Sequence, residues 1–225
     1  MRIIDLSMPI VPHFRWETEI PIKGDIKAGD QFRISRLHGP CHGFSHVDAK
    51  AHIVANAPTI ESTPLDQVVG AARVLDLRDI KPNEEIGPER LAKADPGGPE
   101  NDILILSTGW DRQRDFRTRE FWLDSPYVNR EAAQWLADCK PRALAFDFPQ
   151  DYPIRLLLDG IKVPFEQHVT HDICLRQGVT LVEYLVGTAE IRERRVFFSA
   201  APLKIPGADG APSRIYAIEG LDVQS

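Results

Sequence analysis

Apolar and polar positions fall in short alternating or clustered runs along most of the chain, the pattern of strands rather than of long helices. Arg2 to Leu6 predicts a first strand, ended by Pro9 and Pro12. Gln31 to Leu37 alternates and predicts another. Ala71 to Leu77, Ile103 to Ser107 and Ala143 to Phe146 are apolar runs of strand length. Thr180 to Val186, Val196 to Ala200 and Ile215 to Ile218 complete the series. Helical spacing is rarer. Asn129 is placed to cap a helix through Ala132, Ala133, Trp135 and Leu136, which Pro141 must end. Glu166 to Gln177 has helical character, with Gly178 as its stop. Gly207-Ala-Asp-Gly-Ala-Pro212 reads as a tight loop between the last two strands. Many strands and about three helices define an α/β or α+β sheet protein, expected as one domain over residues 1–225.

Composition narrows the class. With 43% hydrophobic and 27% charged residues, the chain has the make-up of a soluble globular protein. A net charge of −6 and the lack of a basic stripe argue against a nucleic-acid surface. The mixed-sign run Glu190 to Arg195 reads as a solvated element end. Cys41, Cys139 and Cys174 are odd in number and widely spaced, so no disulfide framework is implied and a cytoplasmic location is expected. Cys41 reads as a small buried hydrophobe in preference to a ligand. The first ten residues are too short and interrupted for a signal peptide, and no apolar run has the length of a membrane span.

One segment changes the picture. In His42-Gly-Phe-Ser-His46-Val-Asp48-Ala-Lys-Ala-His52, three of the seven histidines and an aspartate recur at intervals of four, two and four. Imidazole and carboxylate in this mixture suit zinc, manganese or iron(II). A helix would swing Asp48 and His52 away from His42 and His46, whereas an extended or looping segment points all four the same way. The spacing therefore predicts a non-helical, metal-gathering strand or loop.

A site with two metals needs further ligands. Glu183 stands in the apolar stretch Thr-Leu-Val-Glu-Tyr-Leu-Val, where a carboxylate is costly unless paired or bound to a cation. His171 and His168, in the expected helix, are the distant histidine candidates, and spacing does not choose between them.

These residues resemble the cyclase family of metal-dependent hydrolases, which includes bacterial kynurenine formamidase and isatin hydrolase. Its His-x-Gly-Thr-His-x-Asp-x-Pro-x-His signature is matched by His42, His46, Asp48 and His52. Its downstream histidine, followed twelve residues later by glutamate, is matched by His171 and Glu183. Ser107-Thr-Gly-Trp110 and Pro202 to Pro212 are similar to the family's strand-end turn and C-terminal loop. The resemblance implies a swivelling β/β/α domain that forms a homodimer or homotetramer. It implies His42, His46, Asp48, His171 and Glu183 as ligands of two divalent ions per subunit, zinc or manganese, with Asp48 and Glu183 bridging. His52 would be the proton donor and acceptor, and Trp16 a substrate contact.

The resemblance further implies a hydrolase of small amides, in which a metal-activated water attacks an N-formyl aryl amide such as N-formylkynurenine in tryptophan breakdown. Two departures bear on the substrate. Phe44-Ser45 replaces Gly-Thr, placing a ring where the family has none and making Phe44 a candidate substrate contact; Lys50 replaces proline. Both shift weight toward a cyclic imide, lactam or lactone substrate. An inactive metal-binding scaffold is the remaining alternative. The acidic loop Asp147 to Asp151 reads as a strand-end turn, with a supporting carboxylate for the site as the second reading.

Overall fold

The computed structural model describes residues 1–222; the last three residues of the expected 1–225 domain lie outside the described residues. In chain order the strands are β1 (Arg2–Asp5), β2 (Ile22–Gly24), β3 (Ile34–Ser35), β4 (His46–Asp48), β5 (Val69–Asp76), β6 (Glu85–Ile86) and β7 (Ile103–Ser107). They continue with β8 (Tyr127–Val128), β9 (Ala143–Phe146), β10 (Thr180–Glu183), β11 (Arg195–Ser199), β12 (Gly210–Pro212) and β13 (Tyr216–Glu219). Nine of them form one sheet in the order β1-β13-β11-β5-β7-β9-β10-β4-β12. Its centre, β5 to β10, is parallel, and its flanks are antiparallel. The sheet curls enough that Ser7, just past β1 at one end, bridges Leu185, just past β10.

The central strands are buried on both faces, as a parallel sheet requires. Leu104, Leu106, Leu144, Phe146 and Leu181 face one core, shared with the helices Pro88–Ala94 and Arg130–Asp138 and with a group of aromatic rings. Ile103, Ile105, Ala143, Ala145 and Val182 alternate onto a second core inside the curl, closed by Ile4, Val47, Phe198 and Ala217 from the flanks. Small alanines allow that tight closure. The molecule is a mixed α/β protein.

Most expected strands are present with shifted ends, and the Asn129 cap is real: its Oδ1 accepts from Ala132 N at 2.8 Å. Four expectations need correction. Gln31 to Leu37 forms only the two-residue β3, paired with β2 in an exposed hairpin, because no core lies beneath its alternating face. The strand expected to reach Val186 stops at Glu183, since Tyr184 turns left-handed at φ 59°. The helix over 166–177 is instead a 3-10 turn (Phe165–Gln167) and a π-helical turn (Thr170–Leu175), with Gly178 ending it at φ 96°. The C-terminal loop is half strand, because Gly210–Pro212 joins the sheet edge as β12. The helix Pro88–Ala94, begun by proline at its first position, was signalled by Gly87-Pro88 and overlooked.

Candidate metal centre

The sheet order assembles the site. In β4, His46 and Asp48 are two residues apart and share a face. Glu183 at the end of β10 is paired with His46, so its carboxylate joins the same face. On the other side Gly210 of β12 is paired with Asp48. A side chain at 210 would lie 2.6 Å from His42 Cε1 and 2.9 Å from Val47 O, so only glycine lets the strand pass beneath that ring. The histidine segment is extended over His46–Asp48 and looped on either side, as the strand-or-loop expectation allows. A turn with Phe44 at φ 58° brings His42 over the strand, and the 3-10 turn Lys50–His52 folds His52 back beside it. The His42 and His52 rings stack 3.9 Å apart.

His171 arrives from the π-helical turn. Asp151 anchors it there, accepting from Thr170 N at 2.9 Å and from His171 Nδ1 at 2.7 Å. This loop carboxylate, read first from sequence as part of a turn, does support the site.

These supports fix where the imidazole lone pairs point. His46 Nδ1 lies 2.8 Å from the Phe44 carbonyl, which only accepts, so Nδ1 carries the proton and Nε2 a lone pair. That Nε2 faces Asp48 Oδ1 at 3.2 Å and Glu183 Oε2 at 3.6 Å. His171 Nδ1, facing Asp151, leaves Nε2 aimed at Glu183 Oε1 (3.4 Å) and Asp48 Oδ2 (3.7 Å). His42 Nδ1 lies 2.7 Å from Asp48 Oδ1. Buried lone pairs and carboxylate oxygens thus converge on one another, which is unfavourable unless positive charge sits between them.

The atoms fit a divalent cation. Donors about 2.0–2.2 Å from a tetrahedral ion lie roughly 3.3–3.6 Å apart, the spacing found here. His46, Asp48 and Glu183 form one such group and His42, Asp48 and His52 another, each with its donor atoms within 4.8 Å. His46 Nε2, Asp48 Oδ2, His42 Nε2 and Gln150 Oε1 are buried without hydrogen-bond partners. Four orphaned atoms in one place mark a ligand site, since native interiors leave few.

Protons answer the same field. Burial disfavours the His171 imidazolium, but Asp151, Glu183 and Asp48 outweigh it and hold its pKa at about 10. At His42, burial is likewise overcome by Asp48 and Asp209, giving about 9. Burial would raise Asp48, yet His46 and His42 keep it well below the carboxylate range. His52, whose side chain is 31% exposed, is lowered by burial with only partial compensation from Asp48.

Of the other expected residues, His168 is half-buried with its ring 6.2 Å from that of His171 and makes no contact with Asp48 or Glu183. Trp16 and Phe44 are 7% and 3% exposed, their rings 4.6 Å apart. Tyr184 links them to the centre, 5.6 Å from Trp16 and 5.5 Å from His46. Cys41 lines an apolar cavity of about 220 Å³ with Gly43, Phe44, Leu37, Leu203 and Ile205. Reading the sequence missed Gln150, which donates to Glu183 Oε1, and Asp209, 3.0 Å from His42 Nε2. Asp209 had a signal: it lies in the C-terminal loop already singled out.

The fold and this donor set belong to a recognised class: the chain is a member of the putative cyclase family, whose model matches residues 4–150. Among curated relatives, it is 29% identical over 174 residues to the kynurenine formamidase of Salinibacter ruber, covering 77% of this chain and 74% of that one. Among solved structures, a potential metal-dependent hydrolase with cyclase activity is 28% identical with a TM-score of 0.71, covering 96% of both chains. Isatin hydrolase A from Labrenzia aggregata shares the fold at 20% identity and a TM-score of 0.73, covering 96% of this chain and 93% of that one.

Proposed function

We propose that this protein is a metal-dependent hydrolase of small non-peptide amides, with an N-formyl aryl amide such as N-formylkynurenine as its substrate. One observation carries the reading. Asp48 and Glu183 each turn one oxygen toward His46 and the other toward His171, the division expected of two bridging carboxylates. His42, His46, Asp48 and Glu183 would hold one ion, and Asp48, Glu183 and His171 a second; zinc and manganese both suit these donors. Such ions, when bound, supply an acidified water and polarise the substrate carbonyl.

The protein's own groups do the rest. His52 accepts the proton of the attacking water and returns it to the departing nitrogen, a task suited to a half-exposed imidazole left neutral near pH 7. Asp151 and the Phe44 carbonyl keep His171 and His46 in the tautomers that present Nε2. Trp16 and Phe44, nearly closed to solvent, act by fixing the Tyr184 ring and the turn at 44. The apolar cavity beside Cys41 and Phe44 would take the aryl part of the substrate. The similarity to kynurenine formamidases supports the formamide assignment.

The test is hydrolysis of N-formyl-L-kynurenine by protein loaded separately with zinc and manganese, with metal content measured in the same samples. The expected result is turnover that His52→Ala abolishes while most of the metal stays bound. Bound metal without turnover would reject the formamide substrate, and near-normal activity of His52→Ala would reject the acid/base assignment.

A further inference from the structure

The C-terminal loop carries a carboxylate that the ligand set leaves unused. Asp209 Oδ2 lies 3.3 Å from His52 Nδ1 and 3.0 Å from His42 Nε2, beneath two imidazoles stacked at 3.9 Å. We propose that Asp209 is the positioning residue of this site, taking the Nδ1–H of His52 so that Nε2 is left as the proton-accepting nitrogen. The proposal rests on the hydrolase reading for its catalytic consequence, though not for its geometry.

Three features place Asp209 there by construction. Its carbonyl accepts from Ala49 N at 2.9 Å, locking its backbone beside Asp48. The next residue, Gly210, is in register with Asp48 and is the one residue type that can pass His42 at that distance. Ile60 N donates to Ala208 O at 2.9 Å, tying the loop to the segment that follows His52. The carboxylate is therefore held from both sides within reach of the two rings. His42 Nε2 lies 3.0 Å from the same oxygen. That oxygen fixes the tautomer of His52, as carboxylates behind imidazoles do in hydrolytic sites.

The experiment reads the tautomer directly. Zinc-loaded, full-length protein labelled with ¹⁵N in its histidine rings is compared at pH 8 with Asp209→Ala and Asp209→Glu, His52 being assigned through His52→Gln. Wild type is expected to show His52 with a protonated Nδ1 and a bare Nε2. Asp209→Ala should lose that preference, and Asp209→Glu should recover part of it. On N-formyl-L-kynurenine, Asp209→Ala should lower kcat about 10- to 100-fold with KM and zinc content unchanged. Unaltered His52 nitrogen shifts in Asp209→Ala would overturn the proposal, as would zinc content falling in step with kcat. Because the nitrogen shifts need no turnover, a wrong substrate leaves this result standing and is recognised separately.

Discussion

Two buried carboxylate clusters sit at the same edge of the sheet, beyond the carboxyl ends of its parallel strands, yet they are built to opposite specifications. Asp147, just after β9, is fully buried and accepts from Thr108 N at 2.9 Å, Thr108 Oγ1 at 2.6 Å, Gly109 N at 2.7 Å and the Thr188 hydroxyl. Every oxygen is satisfied from within the chain. Asp48 and Glu183 are almost as deeply buried, but Asp48 Oδ2 and His46 Nε2 have no hydrogen-bond partner. Position relative to the sheet therefore does not separate a structural cluster from a functional one, although ligands favour that crevice. Saturation does. Asp147 staples two strand ends together, whereas Asp48 and Glu183 are left wanting a cation.

Exchanging the losses is the sharpest way to break this comparison. Glu183→Ala should take bound metal from stoichiometric to below about a tenth and abolish hydrolysis, in a protein that still folds. Asp147→Ala should leave metal content per folded molecule unchanged and lower stability by about 3 kcal/mol or more, since four donors lose their acceptor. Metal analysis and urea denaturation of the two variants give the four numbers. Metal loss in Asp147→Ala at intact stability would erase the distinction.

The next effect concerns pH. Burial pushes the Asp147 carboxyl up to about 6 even against its four donors, which pull the other way. The folded state therefore holds this proton more tightly than the unfolded chain, whose pKa is near 3.8. Its contribution is fully present below about pH 4 and is lost as pH rises through about 6, a change of roughly 3 kcal/mol. The stability difference between wild type and Asp147→Asn, followed by urea denaturation, should fall by about 2 kcal/mol of that amount from pH 4 to 6. A difference independent of pH would show that the carboxylate stays ionised throughout.

Smaller effects sharpen the metal side. Asp151→Asn, which weakens the support of His171, should lower metal affinity about 10- to 100-fold by competition with a chelator. His168→Gln should change affinity less than twofold, and a larger loss would reopen the choice between the two histidines.

Much of this was legible beforehand, for definite reasons. His42, His46, Asp48 and His52 could be read because their chemistry is local in the chain, and Glu183 because a carboxylate in an apolar strand demands a reason. Asp209 and Gln150 lie in loops the sequence singled out, but their places in the site were not legible, because they reach it only through the pairing of β4 with β12 and of β9 with β10. The alternation of Gln31 to Leu37 misled because periodicity records which residues match a sheet face, not whether a core lies beneath it. The strand end at Tyr184 and the turn at Phe44 were hidden for another reason: both are aromatic residues in a left-handed conformation that favours glycine and asparagine. Buried contacts with Trp16 hold them there.

The sheet order also sets a sequence of events in folding. The contacts that complete Asp147 span about 40 residues, from Thr108 at 39 and Thr188 at 41 positions away. Those that complete the candidate metal centre join Ser45 to Tyr184 across 139 residues and His52 to Asp209 across 157. Closing longer loops costs more entropy and slows assembly, so the parallel centre is expected to form first, with β4 and the edge strand β12 docking late. A nascent chain that has emerged only as far as β11 has its internal staple and all five proposed ligands, but lacks β12 and Asp209 beside His42. The donors of the candidate centre are thereby complete before the chain segment that closes over His42 is made, so a cation could be held before the sheet edge is finished.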